Sequence, residues 1–156
     1  MSPVLRFVPP GELDRWIATN MQTEVTWYQQ YPLADSLVGV RMLRLAGAGG
    51  HPWGFWQILV GQGSGQFVVG DIGFHGPPDP DGVVEIGYEV VPDWRRHGLA
   101  SWAVRQLLAT AADHGAQSVQ AEVIGENPAS AGVLERCGFI VRDQHDGRTV
   151  WIRRLP

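Results

Sequence analysis

The chain contains no lysine; its 12 basic side chains are all arginine. That absence excludes a Walker-type phosphate loop, which needs its lysine, and Schiff-base chemistry on this chain. Cysteine is nearly absent as well. Cys137 stands alone, which rules out an intrachain disulfide framework and a CxxC metal site. No run of about 18 apolar residues occurs, so no membrane-spanning helix is expected. Positive charge is in deficit, with a net charge of −4, which argues against a general nucleic-acid binder. The opening MSPVLRFVPP has no charged region followed by a long apolar stretch, so no signal peptide is read and a soluble, cytoplasmic protein is expected.

What is present suits one domain over residues 1–156, since 44% of the 156 residues are apolar and 18% charged. Residues 4–8 read as a strand, and Gly11 to Asn20 as a helix with early acidic residues. Residues 23–35 are aromatic and irregular. DSLVGVRMLRLAG reads as a helix capped by Asp35 or Ser36, with Leu37, Val40, Leu43 and Met42 on one face. WGFWQILVG and GQFVVGDIGFHG form a hairpin around GQGSG. VVEIGYEVV alternates, with Val84, Ile86, Tyr88 and Val90 facing one way and Glu85, Gly87 and Glu89 the other. Helical spacing follows from Ala100 to Ala111, then a strand at SVQAEVI. NPASAGVLERCG is a short helix with Asn127 as cap and Pro128 at its first position. A hairpin around HDG ends the chain.

The segment PDWRRHGLASWAV joins a strand to a helix through a basic loop and a glycine. Amides of a first helical turn have no acceptor within the helix, and with the helix dipole they receive phosphate well. Gly98 lets the backbone approach closely, and Arg95 and Arg96 add charge-assisted bonds. The loop lacks the second glycine of a dinucleotide fingerprint. Read without a ligand, Gly98 is loop geometry and the arginines are solvated.

Arg95-Arg96-His97-Gly98-Leu99-Ala100 is similar to the R/Q-x-x-G-x-G/A loop of the GNAT acetyltransferase superfamily. NPASAGVLERCGF also resembles that superfamily, in its ribosomal-protein N-acetyltransferase-like branch. The likeness is close over about residues 53–142. It implies an α/β (α+β) fold: a mixed, mostly antiparallel sheet flanked by helices, with a splayed parallel strand pair that binds acetyl-CoA as co-substrate. It implies transfer of an acetyl group to a primary amine, a protein N-terminus or a small-molecule amine, by direct attack through a tetrahedral intermediate. The pantetheine arm would pair near Val90 and Val91, with the Val90 N–H as oxyanion donor. Backbone amides from Arg96 through His97, Gly98, Leu99 and Ala100 to Ser101 would hold the diphosphate.

Glu85, Glu122 and Glu89 are the candidate bases, the first two equally readable as solvated or arginine-paired carboxylates. Glu89 shares the face of Glu85 but is expected to be displaced by a bulge. Asn127 and Ser130 are either cap residues or contacts to the pantetheine arm. A tyrosine common in the family seven residues after the asparagine is Leu134 here, so the proton donor to the thiolate is unassigned. Cys137 reads as a packed thiol, and no His, Cys or acid spacing supports a metal. Trp16, Trp27, Tyr28, Trp53 and Trp56 either wall a substrate cleft or pack the core. A non-catalytic acyl-CoA-binding or sensor module is the alternative function, and an interaction domain without CoA a third. The sequence leaves the assembly open, a homodimer included.

Overall fold

The computed structural model describes residues 2–20 and 24–156; Thr23, at the head of the irregular aromatic segment, lies outside them. In chain order the described elements are β1 (Val4–Phe7), α1 (Pro10–Thr19), β2 (Thr26–Trp27), α2 (Ala34–Leu45), β3 (Phe55–Val60), β4 (Phe67–Phe74), β5 (Val83–Val90), α3 (Leu99–Asp113), β6 (Ser118–Ile124), α4 (Pro128–Arg136), β7 (Ile140–His145) and β8 (Arg148–Arg154). The strands form one sheet in the order β1-β3-β4-β5-β6-β8-β7, with β2 added against β4. Two pairings are parallel, β5 with β6 and β2 with β4. The others are antiparallel. This is the mixed, mostly antiparallel sheet with a parallel pair that the family resemblance implies; β2 is an addition to it.

Side-chain alternation sorts the helices onto the two faces. Asp71 and Glu89 are direct partners across β4 and β5, and so share a face. Ser36 of α2 bonds Asp71, which puts α2 and its neighbour α1 on that side. Tyr88 points the other way and bonds Ser130 of α4, which places α4 and the contacting α3 there. Trp16 of α1 is buried among Trp27, Tyr31 and Phe55. Trp53 packs edge-on to Phe74, Trp56 to Phe7, and Tyr28 stacks on Phe67. Trp16, Trp27, Tyr28, Trp53 and Trp56 are thus engaged in packing.

Helix α2 begins at Ala34, with Leu33 rather than Asp35 or Ser36 at its cap position. The Leu33 N–H donates to Ser36 Oγ at 3.2 Å, so the serine serves the helix start from inside the first turn. Its hydroxyl proton goes instead to Asp71, at 2.7 Å. Met42 does not join Val40 and Leu43 in the core; it is 66% exposed.

The split in the sheet follows from pairing. β5 and β6 are in register from Val83↔Ser118 to Ile86↔Ala121 and share no pair beyond. β5 continues along β4 to Gly70↔Val90, and β6 along β8 to Ile124↔Arg148. Each strand follows its antiparallel neighbour, and a gap opens between them. Gly70 allows the close approach on the β5 side, because a β-carbon there would run into the Glu89 carbonyl.

Candidate active site

The backbone at the end of β5 faces the gap. In an antiparallel pair, opposed residues alternately exchange both hydrogen bonds and none. The His75 N–H donates to the Glu85 carbonyl and the Val91 N–H to the Val69 carbonyl, each at 2.8 Å. Residues 85, 87, 89 and 91 therefore bond toward β4, while Tyr88 and Val90 turn their N–H and C=O toward the diverged β6. The Val90 carbonyl accepts Arg95 Nε–H at 2.9 Å. Its N–H has no strand partner. Val91 differs: its N–H is taken by Val69, its carbonyl accepts Trp94 N–H, and its side chain is fully buried. The expectation that it contacts a cofactor has no free backbone group to rest on.

A groove of about 910 Å³ runs from Tyr88, Glu89 and Val90 along the start of α3 to α4. Gly98 caps α3 in the left-handed conformation, φ 74°, where a β-carbon is disfavoured. Trp102 N–H is the first to bond back, to the Gly98 carbonyl, so the amides of Leu99, Ala100 and Ser101 have no acceptor inside the helix. Arg95, Arg96, itself at φ 63°, and Arg136 line the same groove. His97 Nδ1 lies 2.8 Å from the Arg95 carbonyl oxygen. The Leu99 and Ser101 side chains are buried and present only backbone here. Across the groove Asn127 caps α4, its Oδ1 accepting the Ser130 N–H at 3.1 Å. The Tyr88 hydroxyl lies 2.9 Å from Ser130 Oγ.

A second cavity, of about 580 Å³, meets the first at Tyr88, Glu89, Asn127 and Ser130. It passes through the gap from the α2 face, and Asp35, Asp71, Glu89 and Glu122 line it. No arginine does. Val38, Met42 and Ile124, all exposed by half or more, add apolar surface. Asp71 is 6% exposed, and its Oδ2 accepts from Tyr31 Oη at 2.8 Å as well as from Ser36. Burial raises its pKa to about 6 against those two stabilising donors. Glu89 Oε2 is buried with no hydrogen-bond partner among the described residues. Desolvation, then the charges of Asp71 and Asp35, push the Glu89 carboxyl up to about 7.

The three glutamates thus part company. β4 and β5 keep an unbroken register through Glu89, so no bulge displaces it from the face of Glu85. Glu85 lies outside both cavities; His75 Nδ1 sits 3.0 Å from its Oε2 and holds its pKa down. Glu122 lines the acidic cavity and accepts Arg148 Nη1 at 3.4 Å. Leu134 is fully buried and Cys137 is 3% exposed, its thiol pushed up by burial. Sequence reasoning left Asp71, Tyr31 and Arg136 out of the site and read Asp35 and Ser36 only as helix caps. A legible signal existed for one of them: Asp71 is a lone carboxylate inside the apolar run FVVGDIGF, and such a group must find partners when buried. Among the described residues no cluster of three or more His, Cys, Asp or Glu side chains is placed to hold a metal ion.

The fold is shared with solved acetyltransferase structures. The ribosomal-protein-S5-alanine acetyltransferase of Vibrio fischeri superposes with a TM-score of 0.67 at 14% identity, over 99% of this chain and 93% of that one. A phosphinothricin acetyltransferase of Sinorhizobium meliloti, solved with acetyl-CoA, gives 0.66 at 17%, over 99% and 89%. The GNAT acetyltransferase domain model matches residues 4–140, and the chain belongs to that family. YjdG, an uncharacterised N-acetyltransferase of Bacillus subtilis (strain 168), is 30% identical over 100 residues. That match takes in 64% of this chain and spans 60% of the relative's length.

Proposed function

We propose that the protein is an acetyl-CoA-dependent N-acetyltransferase, acting as a single domain over residues 1–156 on a primary amine, either a peptide N-terminus or a small molecule. One observation carries this reading. Glu89, a carboxyl poised near neutrality, lies where the α3 groove meets the acidic cavity, beside the strand-free N–H of Val90.

Acetyl-CoA supplies an already activated acyl group, so the chain's work is positioning and proton transfer. The amides of Leu99, Ala100 and Ser101, with Arg96 and Arg136, suit the diphosphate. Tyr88 and Val90 present backbone groups with which the pantetheine arm can pair, and the Val90 N–H is aimed at developing negative charge. An amine arrives as ammonium and has to lose a proton. Glu89, with a pKa of about 7, is matched to take it near neutral pH. The Tyr88 and Ser130 hydroxyls line both cavities and can return a proton to the departing sulfur. The base is placed on Glu89 in preference to Glu85, which sits outside the cavities, or Glu122, which pairs with Arg148.

Four carboxylates and no arginine favour a cation in the acceptor cavity. The reading is tested by thiol release from acetyl-CoA with 2-phenylethylamine, short peptides and phenylalanine. Phenylalanine keeps the apolar body of 2-phenylethylamine and adds a carboxylate beside the amine. It is expected to be slower by about tenfold or more. Calorimetric binding of CoA with no turnover on any amine points instead to the acyl-CoA sensor.

A further inference from the structure

The arginine that opens the loop motif is bound to the strand before it. Its Nε–H is on the Val90 carbonyl, and the two are five residues apart. Val90 is 8% exposed, and its carbonyl faces the side that β6 has left, so no strand supplies a donor. A buried carbonyl without a partner is costly. Arg95 fills the place of the missing strand. The same peptide unit carries the Val91 N–H, which is fixed on the Val69 carbonyl. The Val90–Val91 peptide plane is thus held at both ends, and the neighbouring Val90 N–H inherits its direction.

We propose that Arg95 is a positioning residue for the acyl end of the donor, acting through the Val90 carbonyl, and that Arg96 and Arg136 meet the diphosphate charge. This rests on the reading of the groove as the acetyl-CoA site. It departs from the expectation that Arg95 joins Arg96 in adding charge-assisted bonds to a phosphate. All three arginines line the groove, but among the described residues only the Arg95 side chain donates to a carbonyl at the end of β5, which leaves the Arg96 and Arg136 guanidiniums to the groove.

The test compares acetyl-CoA with S-acetylpantetheine, which ends before the diphosphate, using 2-phenylethylamine as acceptor. Arg95→Ala is expected to lower turnover about tenfold or more with both donors and to leave their ratio near the wild-type value. Arg96→Ala is expected to reduce the preference for acetyl-CoA. Arg95→Gln keeps a donor and loses the charge; it is expected to recover most of the rate and to bind CoA in calorimetry like the wild type. An Arg95→Ala loss confined to acetyl-CoA, or an Arg95→Gln variant as impaired as Arg95→Ala, overturns the proposal.

A ligand-free readout stands beside these. In proton–nitrogen spectra of the free protein, Arg95 Nε–H is expected to exchange with water more slowly than Arg96 Nε–H. Equal, fast exchange of the two overturns the proposal even if the wild type turns over no amine. Slow exchange with no wild-type turnover keeps the bond and removes the acetyltransferase reading.

Discussion

The two cavities that meet at Glu89 are built in opposite ways. The groove is assembled from three short segments, residues 88–90, 94–101 and 127–136, and presents mainly backbone and arginine. The acidic cavity draws Asp35 from α2, Asp71 from β4, Glu89 from β5 and Glu122 from β6. The groove's geometry comes from local rules: a glycine cap, unbonded first-turn amides and an Asn-Pro helix start. The cavity's chemistry comes from tertiary packing, because no two of its carboxylates are close in sequence. Recognition of a common donor can be written locally. Recognition of an acceptor is written across the fold.

The sharpest way to break this contrast is at the junction. Glu89→Gln is expected to lower kcat/KM by a factor of about 100 to 10,000, while Glu85→Gln, outside both cavities, changes it far less. Calorimetry should find CoA affinity near wild type in the Glu89 variant. If Glu85→Gln is the more damaging, the acid cavity is not the reacting side.

The pH profile comes next. A base at about 7 gives kcat/KM that rises with pH below that value and levels above it. Asp71→Asn removes the like charge across the β4–β5 pair and is expected to move this limb down by on the order of one pH unit. Asparagine can still accept from Tyr31 and Ser36, so the variant should fold. A limb that does not move separates the cavity's carboxylates from one another.

The glycines compare the two regions in stability. Gly70→Ala, which forces a β-carbon against the Glu89 carbonyl, is expected to cost about 2 kcal/mol in urea unfolding. Gly98→Ala meets no neighbouring atom and pays only for its positive φ, about 1 kcal/mol, with a larger loss in CoA affinity than in stability. The reverse ranking would place the structural demand on the motif and not on the sheet.

The smallest effect expected is thermodynamic linkage at Glu89. Folding raises its pKa from 4.5 to about 7, so the folded state holds the proton more tightly. The associated stability is full below about 4.5 and is lost as pH rises through about 7. Glu89→Gln lacks that dependence. Relative to it, the wild type should lose on the order of 1 kcal/mol between pH 5 and pH 8, partial exposure having reduced the figure.

The same contrast explains what could be read from the chain. The Gly98 loop, Asn127 and Pro128 follow from neighbouring residues, whereas the parallel partnership of β5 with β6 is implied by the family resemblance and rests on pairs between residues 83–86 and 118–121. Ser36 misleads because a serine before an apolar-periodic run resembles a cap, whereas the helix starts at Ala34 and lends the hydroxyl to Asp71. Met42 fits the helical stripe by spacing, yet it stands at the cavity rim, where the sheet offers nothing to cover it. Alternation sets Glu89 on the correct face. Only the unbroken register beside Asp71 shows that it remains there.

A crystal structure with acetyl-CoA tests the account most directly. The thioester carbonyl oxygen should lie about 3 Å from the Val90 nitrogen, with the Glu89 carboxyl opening onto the carbonyl carbon from the acidic cavity. A thioester bound away from Val90, or with Glu89 turned from it and another carboxylate in its place, would contradict the assignment.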